Sequence, residues 1–308
     1  MELGIKHLFG LKGVTDTDIT SILDTAVSFR EVLERPIRIV PTLKGVAVLN
    51  LFYEDSTRTR ISFELAERRL NAEVITFAKG SSSVSKGESL RDTARNIEAM
   101  KIDLIVVRHS SPGTPQFLAD HTACKIINAG DGAHEHPTQA LLDMMTIRQH
   151  FGKLSGLKVL IVGDILHSRV ARSEIWGLKT MGAQVDVCGP SSLMPIEMGC
   201  FDVNVHHNFD EIIADYDVVY MLRIQKERQA SGIMSSTREY TSMFGLTKER
   251  MDRMKDSAVI MHPGPINRGI ELDYEVADSD RSLILEQVTN GEAVRMAALF
   301  LLSGRSEE

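Results

Sequence analysis

The sequence predicts an α/β protein of two domains, each a mostly parallel sheet with helices on both faces. Short β-branched runs alternate with longer stretches of helical periodicity along the whole chain. The short runs are apolar throughout rather than alternating, as are strands covered on both faces of a sheet. At 308 residues the chain exceeds one comfortable core and suits two.

In chain order, strands are expected at 45–52 (GVAVLNLF), 73–78 (EVITFA), 103–108 (DLIVVR) and 124–128 (CKIIN), then at 157–163 (GLKVLIV), 183–188 (AQVDVC), 217–222 (DVVYML) and 257–261 (SAVIM). Helical periodicity falls between them at 59–71, 88–101, 138–150, 169–181 and 246–255. The helix at 138–150 has Pro137 at its first position, where a missing N–H costs nothing. It runs toward residues 152–156, after which LKVLIVGD starts a fresh strand-first unit. The C-terminal VTNGEAVRMAALFLLSG reads as an apolar helix that ends at Gly304. With no strand after it, that helix must dock on one of the domains. The expected division is 1–140 and 141–286, with helix 287–308 packing back on the first domain. In open parallel sheets ligands sit beyond the carboxyl ends of the strands, so an active site is expected in the cleft between the domains.

Bulk composition narrows the function. A net charge of −7 and a pI near 5.8 argue against nucleic acid as a partner, because polyanion binding needs a broad basic surface. Apolar runs such as VLIVG are far too short to span a membrane, and MELGIKHLFGLKG lacks the basic start and long apolar core of a signal peptide. Cys124, Cys188 and Cys200 are scattered with no CxxC spacing, which fits a reducing cytoplasm rather than a disulfide framework. Any arginine cluster should therefore serve a small anion.

One such cluster lies where the first strand becomes a helix, in YEDSTRTRISFE at 53–64. Ser56 is suited to cap the helix, and Thr57, Arg58, Thr59 and Arg60 follow at its first turn. First-turn N–H groups lack intrahelical partners and, with the positive dipole end, attract anions. Hydroxyls add donors, and an arginine adds a planar fork that matches phosphate oxygens. Residues two apart on a helix point in different directions. Arg58 is therefore assigned to the ligand and Arg60 to a nearby acid. The alternative is a capped helix with solvated arginines.

Other strands end in the same way. LIVVRHSSPG carries Arg108 and His109; NAGDGAHEHPTQALLD places His136 at a helix N-cap and Gln139 in the first turn. His136 either caps or donates to a carbonyl. Further on, VLIVGDILHSRVARS presents Arg169, VVYMLRIQKERQ presents Arg223 and Gln225, and IMHPGPINRGIEL exposes the carbonyls of a Pro263–Pro265 turn. Charges gathered at strand ends imply one strongly anionic set of ligands, whereas a merely solvated face would spread them along helix exteriors. HEHPTQ and VHHN lack the further ligands of a metal site, and His134, His206 and His207 are expected at the surface. No GxxxxGK[ST], GxGxxG or GxSxG occurs.

Together FYEDSTRTR, SSSVSKGES, VVRH, NAGDGAHEHPTQALLD, GDILHSRVARS, MLRIQKER and MHPGPINRG, in this order and over nearly the whole chain, resemble the aspartate and ornithine carbamoyltransferases. Within that family the ornithine-specific branch is marked by HCLP and an SMG-type loop. MHPGP and RIQKER stand in their place here, which favours aspartate as acceptor. The resemblance implies transfer of the carbamoyl group of carbamoyl phosphate to the α-amino group of L-aspartate, an early step of pyrimidine synthesis, with no cofactor and no metal. Ornithine or another amino acid is the alternative acceptor, and a non-catalytic anion-binding protein the alternative class.

Carried over by motif, Ser56, Thr57, Arg58 and Thr59 would hold the phosphate, and Arg108, His136 and Thr59 would polarise the carbamoyl carbonyl. Gln139 and the carbonyls of Pro263 and Gly264 would accept from the carbamoyl nitrogen. Arg169 would take the α-carboxylate of aspartate, and Arg223 with Gln225 its β-carboxylate end. By composition, KGSSSVSKGESL is a Ser/Gly-rich surface turn. The resemblance implies that Ser82 (or Ser81 or Ser83) and Lys86 reach the active site of a neighbouring subunit, where Lys86 would meet the substrates. A homotrimer follows, alone or in a larger assembly with regulatory or other pathway subunits, in the cytoplasm.

Overall fold

The computed structural model describes residues 3–78, 89–225 and 236–304. The chain divides into two compact units, residues 1–142 with 289–308, and residues 143–288.

In the first unit, helix α1 (Asp16–Leu33) precedes strand β1 (Ala47–Phe52), helix α2 (Thr57–Arg69), strand β2 (Glu73–Ala78), helix α3 (Leu90–Ala99), strand β3 (Leu104–His109), helix α4 (Thr114–His121) and strand β4 (Lys125–Asp131). All pairings are parallel, in the order β2-β1-β3-β4. Helix α5 (Pro137–Phe151) follows, and the boundary between the units falls within it. The second unit holds strand β5 (Lys158–Val162), helix α6 (Arg169–Thr180), strands β6 (Gln184–Cys188), β7 (Asn204–His206), helix α7 (Phe209–Ile212) and strand β8 (Val218–Met221). Helices α8 (Thr237–Phe244) and α9 (Lys248–Asp252), strand β9 (Val259–Met261), and helices α10 (Tyr274–Ala277) and α11 (Ile284–Ser303) complete the chain. Its sheet is again parallel, in the order β7-β6-β5-β8-β9.

The expected fold class is the one observed, and every expected strand is present to within a few residues. The sequence reading placed no element at 16–33, where α1 stands. Its stripe of Ile19, Ile22, Leu23, Ala26 and Phe29 is buried at helical spacing, and Thr15 caps it by accepting from the Asp18 N–H. Helix α4 was also unassigned; it begins after Gly113, whose φ of 81° suits glycine. Helix α11 ends at Gly304, in the same left-handed region (φ 72°). The α11 residues of the first unit face α1 and α2: Phe300 packs edge-on to Phe29, Glu292 pairs with Arg69 at 2.8 Å, and Arg295 lies over the Phe63 ring and donates to Ser62 Oγ at 3.0 Å. Among the described residues, no helix is long and apolar enough to cross a membrane.

Between β1 and α2 the core holds a polar pair. Asn50 Nδ2 donates to Glu67 Oε2 at 2.6 Å, with both side chains wholly buried. Burial pushes the Glu67 carboxyl up to about 8 despite the Asn50 hydrogen bond. A retained proton fits the pocket, where neither Glu67 Oε1 nor Asn50 Oδ1 meets a donor among the described residues. The folded chain thus keeps a proton that the unfolded chain releases near 4.5, so stability falls as pH rises from there to about 8. Glu67→Gln should flatten this slope and leave the variant roughly 2–4 kcal/mol more stable than the parent at alkaline pH, read from thermal unfolding between about pH 5 and pH 8. Parallel curves for the two proteins would show that Glu67 is ionised in the fold.

Candidate active site

In the first unit the predicted residues sit at the carboxyl ends of three adjacent strands, β1, β3 and β4. Past Phe52 the chain turns through residues 53–56 into α2. Ser56 is the N-cap with extended backbone, and its carbonyl accepts from the Arg60 N–H at 3.2 Å. The expectation that its side chain caps the helix is not met: the hydroxyl makes no cap hydrogen bond. Ser56 therefore consumes none of the first-turn N–H donors on which an anion site depends. Thr57 and Arg58 are exposed at the first turn, and Thr59 is half-buried. Arg60 lies 3.9 Å from Glu64, a loose pair one turn along the helix.

Arg108 is the register partner of Phe52, and its carbonyl accepts from the Tyr53 N–H at 2.9 Å, so it lies beside the start of that turn. Its side chain is buried, with Nη1 donating to the Ala129 carbonyl at 3.1 Å and Nη2 paired with Glu54 Oε1 at 2.8 Å. The sequence reading gave Glu54 no task. Its signal was an acid two residues before Ser56 in the same arginine-rich turn.

Beyond β4, buried Asp131 shapes the loop that leads to His136. It accepts from Asn128 Nδ2 at 2.7 Å and from the Gly113 N–H at 2.8 Å, and His134 Nδ1 approaches it at 3.1 Å. Exposed His134 is thus held by an acid. Buried Glu135 accepts from the N–H groups of Leu11 (2.6 Å) and Lys12 (3.3 Å). A Cβ on Gly10 would come within 2.2 Å of the Glu135 carboxyl, so any other residue there would have to displace that carboxyl. His136 and Gln139 are buried at the start of α5, and the His136 carbonyl accepts from the Gln139 N–H at 3.0 Å.

The second unit repeats the arrangement on β5, β8 and β9, which are also adjacent. After β5, Gly163 takes a φ of 127°, and Asp164 accepts from both the backbone N–H (3.2 Å) and Nδ1 (2.8 Å) of His167. Ser168 caps α6 by accepting from the Ala171 N–H at 3.1 Å, and buried Arg169 is the first helical residue. After β8, Arg223 is half-buried and Gln225 Nε2 donates to the His167 carbonyl at 3.2 Å. That bond brings the Gln225 and Arg169 segments together; His167, which makes it, was not anticipated.

After β9, His262 and Glu271 close the turn carrying Pro263 and Gly264. His262 Nδ1 accepts from the Gly264 N–H at 2.8 Å, and Nε2 faces Glu271 Oε1 at 3.3 Å. Glu271 Oε1 also accepts from the Asn267 N–H at 2.6 Å. Gly264 adopts a φ of 61°, a conformation glycine takes without strain. Ser82 and Lys86 lie outside the described residues. Half-buried His206 belongs to β7 and lies near Tyr216 and Asp186, while His207 is exposed.

Residues 6–149 match the family described as aspartate/ornithine carbamoyltransferase, carbamoyl-P binding domain, and residues 155–302 match its Asp/Orn binding domain. The chain is 52% identical over 305 residues to the aspartate carbamoyltransferase catalytic subunit of Halothermothrix orenii, covering 99% of this chain and 97% of that one. It also superposes on the crystal structure of aspartate transcarbamoylase from Trypanosoma cruzi in complex with carbamoyl phosphate and aspartate, with a TM-score of 0.85, 30% identity and 96% of each chain covered. The ornithine carbamoyltransferase of Pyrococcus furiosus gives the same TM-score at 28% identity over 98% of each chain, so backbone shape does not choose the acceptor. With both parts of the family matched along nearly its whole length, the chain belongs to the aspartate/ornithine carbamoyltransferases.

Proposed function

We propose that this chain transfers the carbamoyl group of carbamoyl phosphate to the α-amino group of L-aspartate, releasing N-carbamoyl-L-aspartate and phosphate. The observation that carries the reading is full-length identity above half with catalytic subunits named for aspartate. The two strand-end sets of arginines suit a pair of anionic substrates that would otherwise repel each other.

In this reading the first unit is the carbamoyl-phosphate domain. The N-terminus of α2, with Ser56, Thr57, Arg58 and Thr59, takes the phosphate. Arg108, His136 and Thr59 donate to the carbamoyl oxygen, where negative charge develops as the neutral amine attacks. Gln139 and the carbonyls of Pro263 and Gly264 accept from the carbamoyl nitrogen. The second unit is the aspartate domain: Arg169 binds the α-carboxylate, and Arg223 and Gln225 the β-carboxylate end. The C–N bond forms as the C–O bond to phosphate breaks, and the departing phosphate takes the amine proton, so the protein need supply no separate base. No covalent intermediate, metal or cofactor is required.

A homotrimer, with Ser82 and Lys86 entering a neighbour's site, completes the proposal, with or without further subunits of the pyrimidine pathway. Exposed Ile37, Ile39 and Leu65, beside Arg38, Arg68 and Arg69, form an apolar patch on the first unit of the kind that subunit contacts cover. A cytoplasmic site of action accords with the three free thiols, Cys124, Cys188 and Cys200.

Carbamoyl phosphate consumption should proceed with aspartate and not with ornithine; absence of carbamoyl aspartate at saturating substrate would refute the assignment. Arg108→Ala and His136→Ala should each lower kcat by about 10²–10³-fold, as loss of one oxyanion donor does. Arg169→Ala should act chiefly on the KM for aspartate. Mixed trimers of inactive Lys86→Ala and inactive Arg58→Ala chains should regain part of the parent activity. Isolated mixed trimers that stay inactive would rule out shared sites.

A further inference from the structure

The second unit buries a cluster of polar groups that substrate binding does not use. At its centre is Asp143, in α5 and wholly buried. One carboxylate oxygen accepts from Tyr220 Oη at 2.7 Å and the other from Gln287 Nε2 at 2.6 Å. Glu174, in α6 and also wholly buried, lies within hydrogen-bonding reach of Asp143. Neither Glu174 oxygen meets an N–H or O–H from any other described residue. Two ionised carboxylates cannot share such a site, and burial, reinforced by the charge on Asp143, holds Glu174 well above the usual carboxylate range. Burial thus favours the protonated form of Glu174, which in that form is a third donor for Asp143.

Each donor comes from a different element, and each is tied to a segment that carries predicted ligand residues. Glu174 is five residues past Arg169, in the same helix. Tyr220 lies in β8, three residues before Arg223 and five before Gln225. Gln287 accepts at Oε1 from the His262 N–H at 3.0 Å, and His262 opens the Pro263–Gly264 turn.

Resting on the function proposed above, we propose that Asp143 is a positioning residue for carbamoyl transfer. Its one buried carboxylate fixes, through Tyr220, Gln287 and the adjoining Glu174, the relative placement of Arg169, of Arg223 with Gln225, and of the Pro263 and Gly264 carbonyls. The chemistry favours one shared anchor. A buried carboxylate holds its donors more tightly than a neutral acceptor does, and three bonds to one group leave little freedom between the elements that supply them. None of the four side chains touches substrate in this scheme.

The test leaves Asp143 in place, because removing it would strand three donors in the core, and alters the donors one at a time. Tyr220→Phe deletes one hydroxyl and should raise the KM for aspartate about tenfold, with the KM for carbamoyl phosphate little changed. Gln287→Met should act the other way, raising the KM for carbamoyl phosphate by a similar factor. Glu174→Leu should weaken aspartate binding, and Glu174→Gln, whose amide can still donate to Asp143, should restore most of what Leu loses. A general loss of stability would move both KM values together with the unfolding temperature, and Glu174→Gln would not rescue. Folded variants with parental KM values, or KM shifts that do not separate by substrate, would overturn the proposal. If Glu174→Leu fails to fold, a folded Glu174→Gln with a tenfold loss would overturn the neutral-acid link by itself. The parent enzyme is assayed first: no carbamoyl aspartate from it refutes the proposed function, whereas normal parental turnover with unaffected variants refutes only the anchor.

Discussion

A carboxylate taken out of water is tolerated only where donors converge on it, and both units place such groups at the ends of their parallel strands. Asp131 and Glu135 gather backbone N–H groups from residues 11, 12 and 113 around the loop that delivers His136. Asp164 gathers His167 before Arg169, and Glu271 gathers Asn267 beside His262. Without these acids the strand-end loops would be polar backbone with few partners, free to adopt many conformations. With them, each loop has a reason to hold one shape before any ligand arrives. Preorganisation of that kind lets donors act on a developing charge without first being reordered.

Paired acids also reconcile a chain of net charge −7 with a site for anions. Arg108 is oriented by Glu54 and by the Ala129 carbonyl, so its guanidinium is fixed by a charge that also reduces its field. Elsewhere, acids pair with arginines that are not among the predicted ligands. Asp210 accepts from Arg250 and Arg253, and these hydrogen bonds hold its carboxyl below the usual range. Net charge therefore says little about the local potential at a strand end, where helix N-termini and oriented arginines decide it.

Strand and helix alternation was legible because periodicity is local: a run such as VLIVG or an N-terminal HPTQ carries its own geometry. Helix α1 is legible in principle, since Ile19, Ile22, Leu23 and Ala26 show the spacing. The positions of the described candidate residues were also legible, because each follows from a motif that ends a strand. Glu54, His167 and Glu271 were not, since an acid or histidine in a loop looks the same whether it is solvated or holds a neighbour.

By itself the sequence determined the two parallel α/β sheets and the arginines, histidine and glutamines that follow their strands. Only the tertiary structure decided what holds those residues still. Glu135 meets Leu11 across 124 positions and Gln287 meets Asp143 across 144. Whether a carboxyl keeps its proton, as at Glu67 and Glu174, depends on how completely distant segments exclude water from it. Periodicity and capping act over a few residues, whereas burial and donor convergence exist only once the chain has closed on itself.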